Sequence, residues 1–204
     1  MTRATKELQV GYSFPSRSRK VTQDIMTTYI DMLNSVVQDA GQAAVVIKNT
    51  IELYRQPVMI EGFVAGDEIT VGVVGNSPPQ VVGIMRILPR KKTDYFVYSL
   101  EVKRDWKALV DYECPAGLNP ETLEIITQTS LNIFKTLGCR DFSRIDYRIG
   151  RDGKPYFIEI NPLPGLGDYS DLVIMALKMG WTHDKLIRAV LNAALERCGL
   201  CKQE

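Results

Sequence analysis

The chain has 204 residues, of which 45% are hydrophobic and 24% charged, a composition ordinary for a globular protein that folds in water. Its formal net charge of +1 gives no electrostatic reason to expect nucleic acid or an anionic membrane as a partner. A single histidine, His183, disfavours chemistry built on a histidine base or a His-ligated zinc.

The N-terminal part of the chain contains three predicted elements. Apolar residues near a 3.6-residue period predict a helix over Thr22–Asp39. The run Ala43–Lys48 predicts a short buried strand that ends in a lysine, and Thr50–Arg55 resembles the last turns of a further helix. No apolar run approaches the ~20 residues of a membrane span. Because no signal peptide opens the chain and four cysteines fit a reducing compartment, we expect a cytoplasmic protein.

The middle of the chain predicts an antiparallel meander and then helices. Pro57–Gly66 continues the strand content, and Glu68–Val74 and Gln80–Leu88 are joined by a turn rich in glycine and proline. A helix is expected between a cap at Asn119, Pro120 at its first position and Gly138 just past its end. The predicted buried stripe of this helix is Leu123, Ile126, Ser130, Ile133 and Leu137. Two further helices are expected after residue 167, over Ser170–Met179 and Thr182–Arg197.

A predicted hairpin around Asp152-Gly153 organises the C-terminal half. An Asp-Gly pair between two runs rich in isoleucine and aromatic residues is a strong signal for a two-residue type I′ turn. With these two residues as the turn, the facing pairs place Asp146 opposite Glu159 and Arg144 opposite Asn161. Alternation along the strands assigns one set to the core and a second set to the other face. The first set is Ile145, Tyr147, Ile149, Tyr156, Ile158 and Ile160; the second is Arg144, Asp146, Arg148, Phe157, Glu159 and Asn161.

The second face of this hairpin indicates a metal site. Like charges directly opposite each other on a sheet are destabilising, and a cation between Asp146 and Glu159 would remove that conflict. All the donors, including Asn161, are oxygens, which suits Mg²⁺ completed by water and phosphate oxygens. The alternative is an ordinary amphipathic hairpin whose carboxylates lie in water and are partly offset by Arg144 and Arg148.

From Pro57 to the C-terminus the order of motifs resembles the C-terminal part of the D-alanine:D-alanine ligase family, within the ATP-grasp superfamily. The matching stretches are PVMIEGFVAGDEITVGVVGN, SLEVKRDW, YECPAGLNPETL, KTLGCRDFSRIDYRIGRDGKPYFIEINPLPG and GDYSDL. The resemblance implies an α+β ATP-grasp fold, mostly antiparallel sheets with packed helices that enclose a nucleotide cleft. It divides the chain into an N-terminal segment, 1–56, with part of the first subdomain, and an ATP-grasp C-terminal region, 57–204.

The same resemblance implies roles for individual residues. Asp146, Glu159 and Asn161 match the ligands of two Mg²⁺ ions, for which Mn²⁺ can substitute, and Arg144 matches the arginine that steadies the acyl phosphate and the tetrahedral intermediate. The remaining matches concern ATP and the second substrate. Lys48 and Lys103 match lysines at the phosphates, Glu61, Phe63 and Val64 the adenine linker, Glu68 the ribose carboxylate, and Gly165 and Ser170 the loop that receives the acceptor's carboxylate.

The implied reaction is phosphoryl transfer from ATP to a carboxylate, followed by attack of an amine on the acyl phosphate. The implied partners are small molecules, an amino acid or a small peptide, with no nucleic acid and no membrane, and a homodimer stays open. The family's glycine-rich phosphate loop does not follow Lys48, so either the chain lacks that loop or the sequence omits a mobile lid; we favour omission. Arg104 and Asp171 stand where tyrosine and leucine are usual, which weakens the D-alanine assignment. A second hypothesis is therefore an ATP-grasp remnant that binds a nucleotide or a partner protein without turnover.

Overall fold

A computed structural model describes residues 37, 39–58, 60, 62–91, 96–98 and 100–200. The described residues belong to two compact units, one with α1 and residues 100–103, the other with Val64–Tyr98 and the chain from Arg104 onward. The helices are α1 (Ala40–Tyr54), α2 (Leu100–Arg104), α3 (Trp106–Leu109), α4 (Pro120–Thr136), α5 (Asp171–Lys178) and α6 (His183–Arg197). The strands are β1 (Gly66–Val74), β2 (Gln80–Pro89), β3 (Val110–Glu113), β4 (Phe142–Gly150) and β5 (Pro155–Asn161). None of the described helices has the length and apolar character that a bilayer span requires.

The second unit is built on an antiparallel sheet with the strand order β3-β2-β1-β4-β5. Strands β1 and β2 form the predicted meander, and β4 and β5 the predicted hairpin. Strand β4 pairs with β1 along its whole length, from Gly66 opposite Gly150 to Val74 opposite Phe142. The hairpin therefore lies at one end of the sheet, with β4 inside it and β5 at its edge.

Helix α4 covers one face of this sheet. The predicted cap is confirmed, because the Asn119 side chain accepts a hydrogen bond from the Thr122 backbone N–H and Pro120 is the first helical residue. The buried stripe is Thr122, Ile126, Ser130 and Phe134, whereas Leu137 is 60% exposed. The prediction was wrong for Leu137 because the helix ends at Thr136, one residue earlier. Ile126 and Phe134 of this stripe pack on Ile69, Val71, Ile145 and Tyr147 of the sheet.

Helices α5 and α6, both predicted, cover part of the opposite face. Leu172 and Val173 of α5 pack with Leu186 of α6 against Val74 and Val82 of the sheet. Helix α5 approaches closely because the facing strand positions are glycines. A Cβ on Gly72 would lie 2.4 Å from Leu172 Cδ1, and one on Gly83 would lie 2.9 Å from Met179 Cγ.

Two strand predictions in the N-terminal part are wrong. Ala43–Lys48 lies inside helix α1, which begins at the Asp39 cap and ends before Arg55 in a left-handed conformation (φ 51°). No residue of α1 is buried, so the apolar run lacks the sheet neighbours that a buried strand needs, and its alanine-rich start favours helix. The described residues of Pro57–Gly66 form no strand before Gly66. The predicted helix Thr22–Asp39 lies almost wholly outside the described residues.

The hairpin turn also differs from the prediction. Gly150 accepts a hydrogen bond from the Gly153 backbone N–H and donates one to the Lys154 carbonyl, so the turn has three residues, 151–153, with Gly153 at φ 76°. Tyr147 then faces Phe157 rather than Ile158, and a bulge at Ile158 restores the predicted register from Asp146 opposite Glu159 onward. The predicted faces are thus wrong for Tyr156, Phe157 and Ile158, each at least 40% exposed on the edge strand.

Candidate functional site

Arg144 on β4 lies among three carboxylates that come from three different elements. Its Nη2 is 2.7 Å from Asp146 Oδ2 and 3.6 Å from Glu159 Oε1, and its Nη1 is 3.2 Å from Asp171 Oδ2. We call these four residues the Arg144 cluster. One cation among three carboxylates leaves an excess of negative charge, and this excess is a reason for a further cation to bind here.

The strand register puts the cluster together. Asp146 faces Glu159 across the hairpin, and Arg144 faces Asn161, as the sequence predicted. Thr70 on β1, opposite Asp146, donates its hydroxyl to Asp146 Oδ1 at 2.6 Å. Burial alone would lower the pKa of Arg144, but the attraction of the cluster's carboxylates, led by Asp146, outweighs it and raises that pKa. The guanidinium is therefore charged at every working pH.

Asp171, the first residue of α5, connects the cluster to two tyrosines. Tyr98 donates its hydroxyl to Asp171 Oδ1 at 2.9 Å and shares a hydrogen bond with the Tyr112 hydroxyl. Burial, with the charge of Asp171, raises the pKa of Tyr98 well above its ordinary value, and burial raises the pKa of Tyr112 to about 12. Both tyrosines are therefore neutral hydrogen-bond donors at pH 7.

A second buried ion pair holds the segment 96–98 against the sheet. Arg148 Nη1 lies 2.7 Å from Glu68 Oε1, and its Nη2 donates to the backbone oxygens of Gly66 and Phe96 at 3.1 and 2.7 Å. Glu68 also accepts a hydrogen bond from the Tyr98 backbone N–H at 3.0 Å. Burial lowers the pKa of Arg148, although Glu68 opposes the effect. Glu68, the predicted ribose ligand, is thus a tether for this segment in the structure.

The oxygen donors of the hairpin suit a hard divalent cation. Within the described part of the chain no three His, Cys, Asp or Glu side chains are arranged to hold a metal ion by themselves. The candidate set is therefore smaller in carboxylates and includes an amide: Asp146 and the facing Glu159, with Asn161 two residues further along β5. Two carboxylates and an amide leave several positions of an octahedron to water and phosphate oxygens, which is how Mg²⁺ is usually held on a nucleotide. The donor set therefore fits the predicted ion.

The predicted acceptor loop lies between β5 and α5. A Cβ on Gly165 would lie 2.7 Å from Ser170 Oγ, so the structure brings these two predicted residues into contact. Ser170 precedes α5 as its N-cap residue. The loop is fixed further along by a hydrogen bond between His183 Nε2 and the Leu166 carbonyl oxygen, 2.9 Å apart.

The remaining predicted nucleotide residues are divided between the two units or lie outside the described residues. Lys48 is on helix α1 rather than on a strand, 75% exposed and 3.9 Å from Glu52. Phe63 and Lys103 belong to the unit that contains α1, whereas Val64 begins the unit that contains the sheet. Glu61 lies outside the described residues, and its predicted role stays a prediction.

Sequence reasoning did not assign Thr70, Tyr98 or Asp171 to the site. Thr70 could have been found, because it sits on the same face of the alternating β1 run as Glu68. Asp171 was noted only as a departure from the usual leucine; because an acidic residue at the first position of a helix is an ordinary feature, its contact with Arg144 was not predicted. Tyr98 lies in an irregular segment, where spacing predicts no contact.

Comparison with known proteins gives one consistent picture. A family model described as the D-ala D-ala ligase C-terminus matches residues 34–192. A D-alanine–D-alanine ligase of Fervidobacterium nodosum is 36% identical over 152 residues, 74% of this chain and 46% of the relative. One from Dechloromonas aromatica is 36% identical over 138 residues, 67% of this chain and 43% of the relative. The chain thus spans about half the length of these curated relatives.

Solved structures agree on the fold. The D-alanine–D-alanine ligase of Coxiella burnetii matches with a TM-score of 0.61 and 22% identity, over 79% of this chain and 40% of that one. A Bacillus anthracis ligase described as complexed with ATP matches with a TM-score of 0.59 and 24% identity, over 79% and 48% of the two chains. The predicted α+β ATP-grasp fold is confirmed for the matched region.

Proposed function

The chain belongs to the D-alanine:D-alanine ligase family, whose C-terminal model matches residues 34–192, and we propose that it acts as an ATP-dependent carboxylate–amine ligase. The reaction would form an amide bond through an acyl phosphate. The observation that carries the proposal is the facing pair Asp146 and Glu159, with Asn161 two residues on, beside the charged Arg144. Because the chain spans about half of its curated relatives, the whole activity is proposed rather than established.

The residues of the hairpin would divide the work between metal and intermediate. Asp146, Glu159 and Asn161 would hold two Mg²⁺ ions, which when bound supply neutralisation of phosphate charge. Arg144, permanently charged and 13% exposed, would stabilise negative charge that develops on the transferred phosphoryl group and at the tetrahedral carbon. Phosphoryl transfer needs positioning and charge stabilisation more than a protein base, so the reaction does not require a histidine base.

The nucleotide and acceptor contacts form a second layer of the proposal. Sequence order supports Glu61, Phe63, Val64, Glu68 and Lys103, within an ATP-grasp region over 57–204, as ATP contacts, together with Lys48 of the preceding segment 1–56. The close approach of Gly165 to Ser170 supports a tight loop that receives the acceptor's carboxylate. The substrates would be amino acids or small peptides. Asp171, a carboxylate at the start of α5 beside this loop, makes the acceptor pocket of this chain more acidic than leucine would.

The test is amide formation and phosphate release from ATP with a panel of D- and L-amino acids as acceptors. We expect Glu159→Gln to abolish Mg²⁺-dependent turnover, since the amide cannot neutralise the ion. The matched control is Glu124→Gln, whose side chain is exposed on α4 and bonds to Gln128; it should retain full activity. Unchanged turnover in Glu159→Gln would contradict the assignment. ATP binding without product from any acceptor would favour a nucleotide-binding protein without turnover.

A further inference from the structure

Asp171 is the most enclosed carboxylate of the Arg144 cluster. Its side chain is 7% exposed, against 23% for Asp146 and 39% for Glu159. It reaches Arg144 Nη1 at 3.2 Å and accepts the Tyr98 hydroxyl at 2.9 Å. Because it begins α5, its position is fixed independently of the hairpin that carries the other members of the cluster.

Arg144 at present occupies both oxygens of Asp146. Its Nε lies 3.0 Å from Oδ1 and 3.2 Å from Oδ2, and its Nη2 lies 2.7 Å from Oδ2. Thr70 takes the remaining approach to Oδ1. A divalent ion that binds Asp146 needs one of these oxygens, so ion and guanidinium compete for the same carboxylate and repel each other at short range.

The contact with Asp171 uses a different nitrogen of the guanidinium. Nη1 faces Asp171, whereas Nε and Nη2 face Asp146. Loss of the Asp146 contact therefore leaves the Asp171 contact intact. A buried guanidinium left with no carboxylate would be strongly unfavourable, and it would either resist the ion or leave the site.

We propose that Asp171 is a positioning residue that keeps Arg144 in the site when a divalent cation takes Asp146. Asp171 thereby lowers the competition between Arg144 and the ion and keeps the guanidinium on Asp171 Oδ2. The inference rests on the proposed function, which places the cation at Asp146 and Glu159.

The test is a double-mutant cycle on cation affinity. Mn²⁺ binding to the full chain, with a non-hydrolysable ATP analogue present, is followed by the electron paramagnetic resonance signal of unbound Mn²⁺. Asp171→Asn keeps an oxygen for the Tyr98 hydroxyl and removes the charge. We expect it to weaken Mn²⁺ binding about five- to tenfold in the parent chain and less than about twofold in an Arg144→Met background, since coupled residues are not additive.

The controls separate a positioning role from a general effect of charge or folding. Asp111→Asn removes an exposed carboxylate that pairs with Arg90 and should leave the affinity unchanged, and thermal unfolding checks that each variant folds. If Arg144→Met does not fold, Arg144→Lys replaces it, because one ammonium cannot bridge two carboxylates by separate nitrogens. The coupling should be lost there too.

Each outcome has one meaning. Equal weakening in both backgrounds would show that Asp171 acts by its charge alone and would overturn the inference, as would no weakening in the parent chain or no Mn²⁺ binding at all. The predicted pattern without amide formation would refute the ligase proposal and keep the inference. Amide formation with an affinity that ignores Asp171 would refute the inference alone.

Discussion

The two faces of the β3-β2-β1-β4-β5 sheet differ in what they bury. The face under α4 buries apolar side chains, among them Ile69, Val71, Ile145 and Tyr147. It also buries a hydrogen bond of 2.8 Å between the hydroxyls of Ser130 and Tyr147. This is the arrangement expected of a face that supplies the folding free energy, because stability rises with apolar area removed from water.

Beside its apolar contact with α5 and α6, the opposite face also buries charge. Alternate residues of β1 and β4 place Glu68, Thr70, Arg144, Asp146 and Arg148 there, and both arginines are at most 13% exposed. Buried ion pairs are often no more stable than apolar residues of the same size, because desolvation opposes their attraction. The comparison shows that the face under α4 is apolar, whereas the other face is divided between apolar side chains packed with α5 and α6 and the charges of the Arg144 cluster.

The largest expected effect lies on the apolar face. Phe134→Ala should lower the free energy of unfolding by about 3–5 kcal/mol, the usual cost of such a cavity, because Phe134 is 2% exposed in the core. Chemical denaturation by urea measures the change. Leu137→Ala, on the same helix end but 60% exposed, is the control and should change stability by less than about 0.5 kcal/mol. Similar losses in both variants would contradict the assignment of Phe134 to the core under α4.

The next effect belongs to the charged face and to activity. Arg144→Ala should lower kcat by about 10²-fold or more, the scale for one donor that stabilises developing negative charge. The measurement is the steady-state rate of amide formation. Arg90→Ala is the matched control, since Arg90 is an exposed partner of Asp111, and it should leave kcat unchanged. An Arg144→Ala protein with a normal rate would remove the charged face from the chemistry.

Close packing of α5 gives a smaller expected effect. Gly72→Ala would place a Cβ 2.4 Å from Leu172 Cδ1 and 3.0 Å from Met175 Sδ, and both side chains are fully buried. Overpacking of this kind should lower the free energy of unfolding by about 1–3 kcal/mol. Gly62→Ala, where a Cβ meets nothing within 4 Å, is the control. A Gly72→Ala protein as stable as the control would show that α5 can move away at no cost.

The smallest predicted effect depends on pH and lies outside both faces. Asp141 binds Arg197 at 2.7 Å and accepts from Asn76 at 2.9 Å, and the Arg197 hydrogen bond lowers the pKa of Asp141. Because the pKa of Asp141 is lower in the folded state, its ionised carboxylate stabilises the protein at a pH above the unfolded pKa of about 3.9. This stabilisation is lost as the pH falls through the folded-state pKa. Asp141→Asn should therefore cost about 0.5–1 kcal/mol at pH 7.

That difference should shrink as the pH falls below about 4. Urea unfolding of both proteins at pH 7 and pH 3 measures it. A gap that stays constant would mean that the charge of Asp141 does not carry the effect. Asparagine suits this position because Asp141 has a φ of 65°, a conformation that asparagine also adopts readily.

How far the sequence predicts the structure depends on how local the signal is. The caps at Asn119 and Pro120 are local, and the predicted start of α4 is confirmed. The hairpin register at Asp146 and Glu159 is also confirmed. The turn beside it was predicted wrongly, because it has three residues instead of two. The bulge at Ile158 offsets the extra turn residue, so the register at the site is the predicted one.

Contacts between distant segments were harder to predict. Thr70 is 76 residues from Asp146, and Tyr98 is 73 residues from Asp171, and no periodicity relates such positions. The run Ala43–Lys48 was predicted as a buried strand from its apolar content, but content alone cannot distinguish a strand from a helix. Burial depends on neighbours, and α1 has no buried residue.

In the proposed function, the facing carboxylates of β4 and β5 bind the divalent ion of a nucleotide. The most direct measurement is anomalous diffraction from crystals of the protein grown with Mn²⁺ and a non-hydrolysable ATP analogue. We predict a manganese peak in contact with both Asp146 and Glu159, next to the nucleotide's phosphates. An ordered nucleotide whose manganese contacts neither carboxylate would contradict the account.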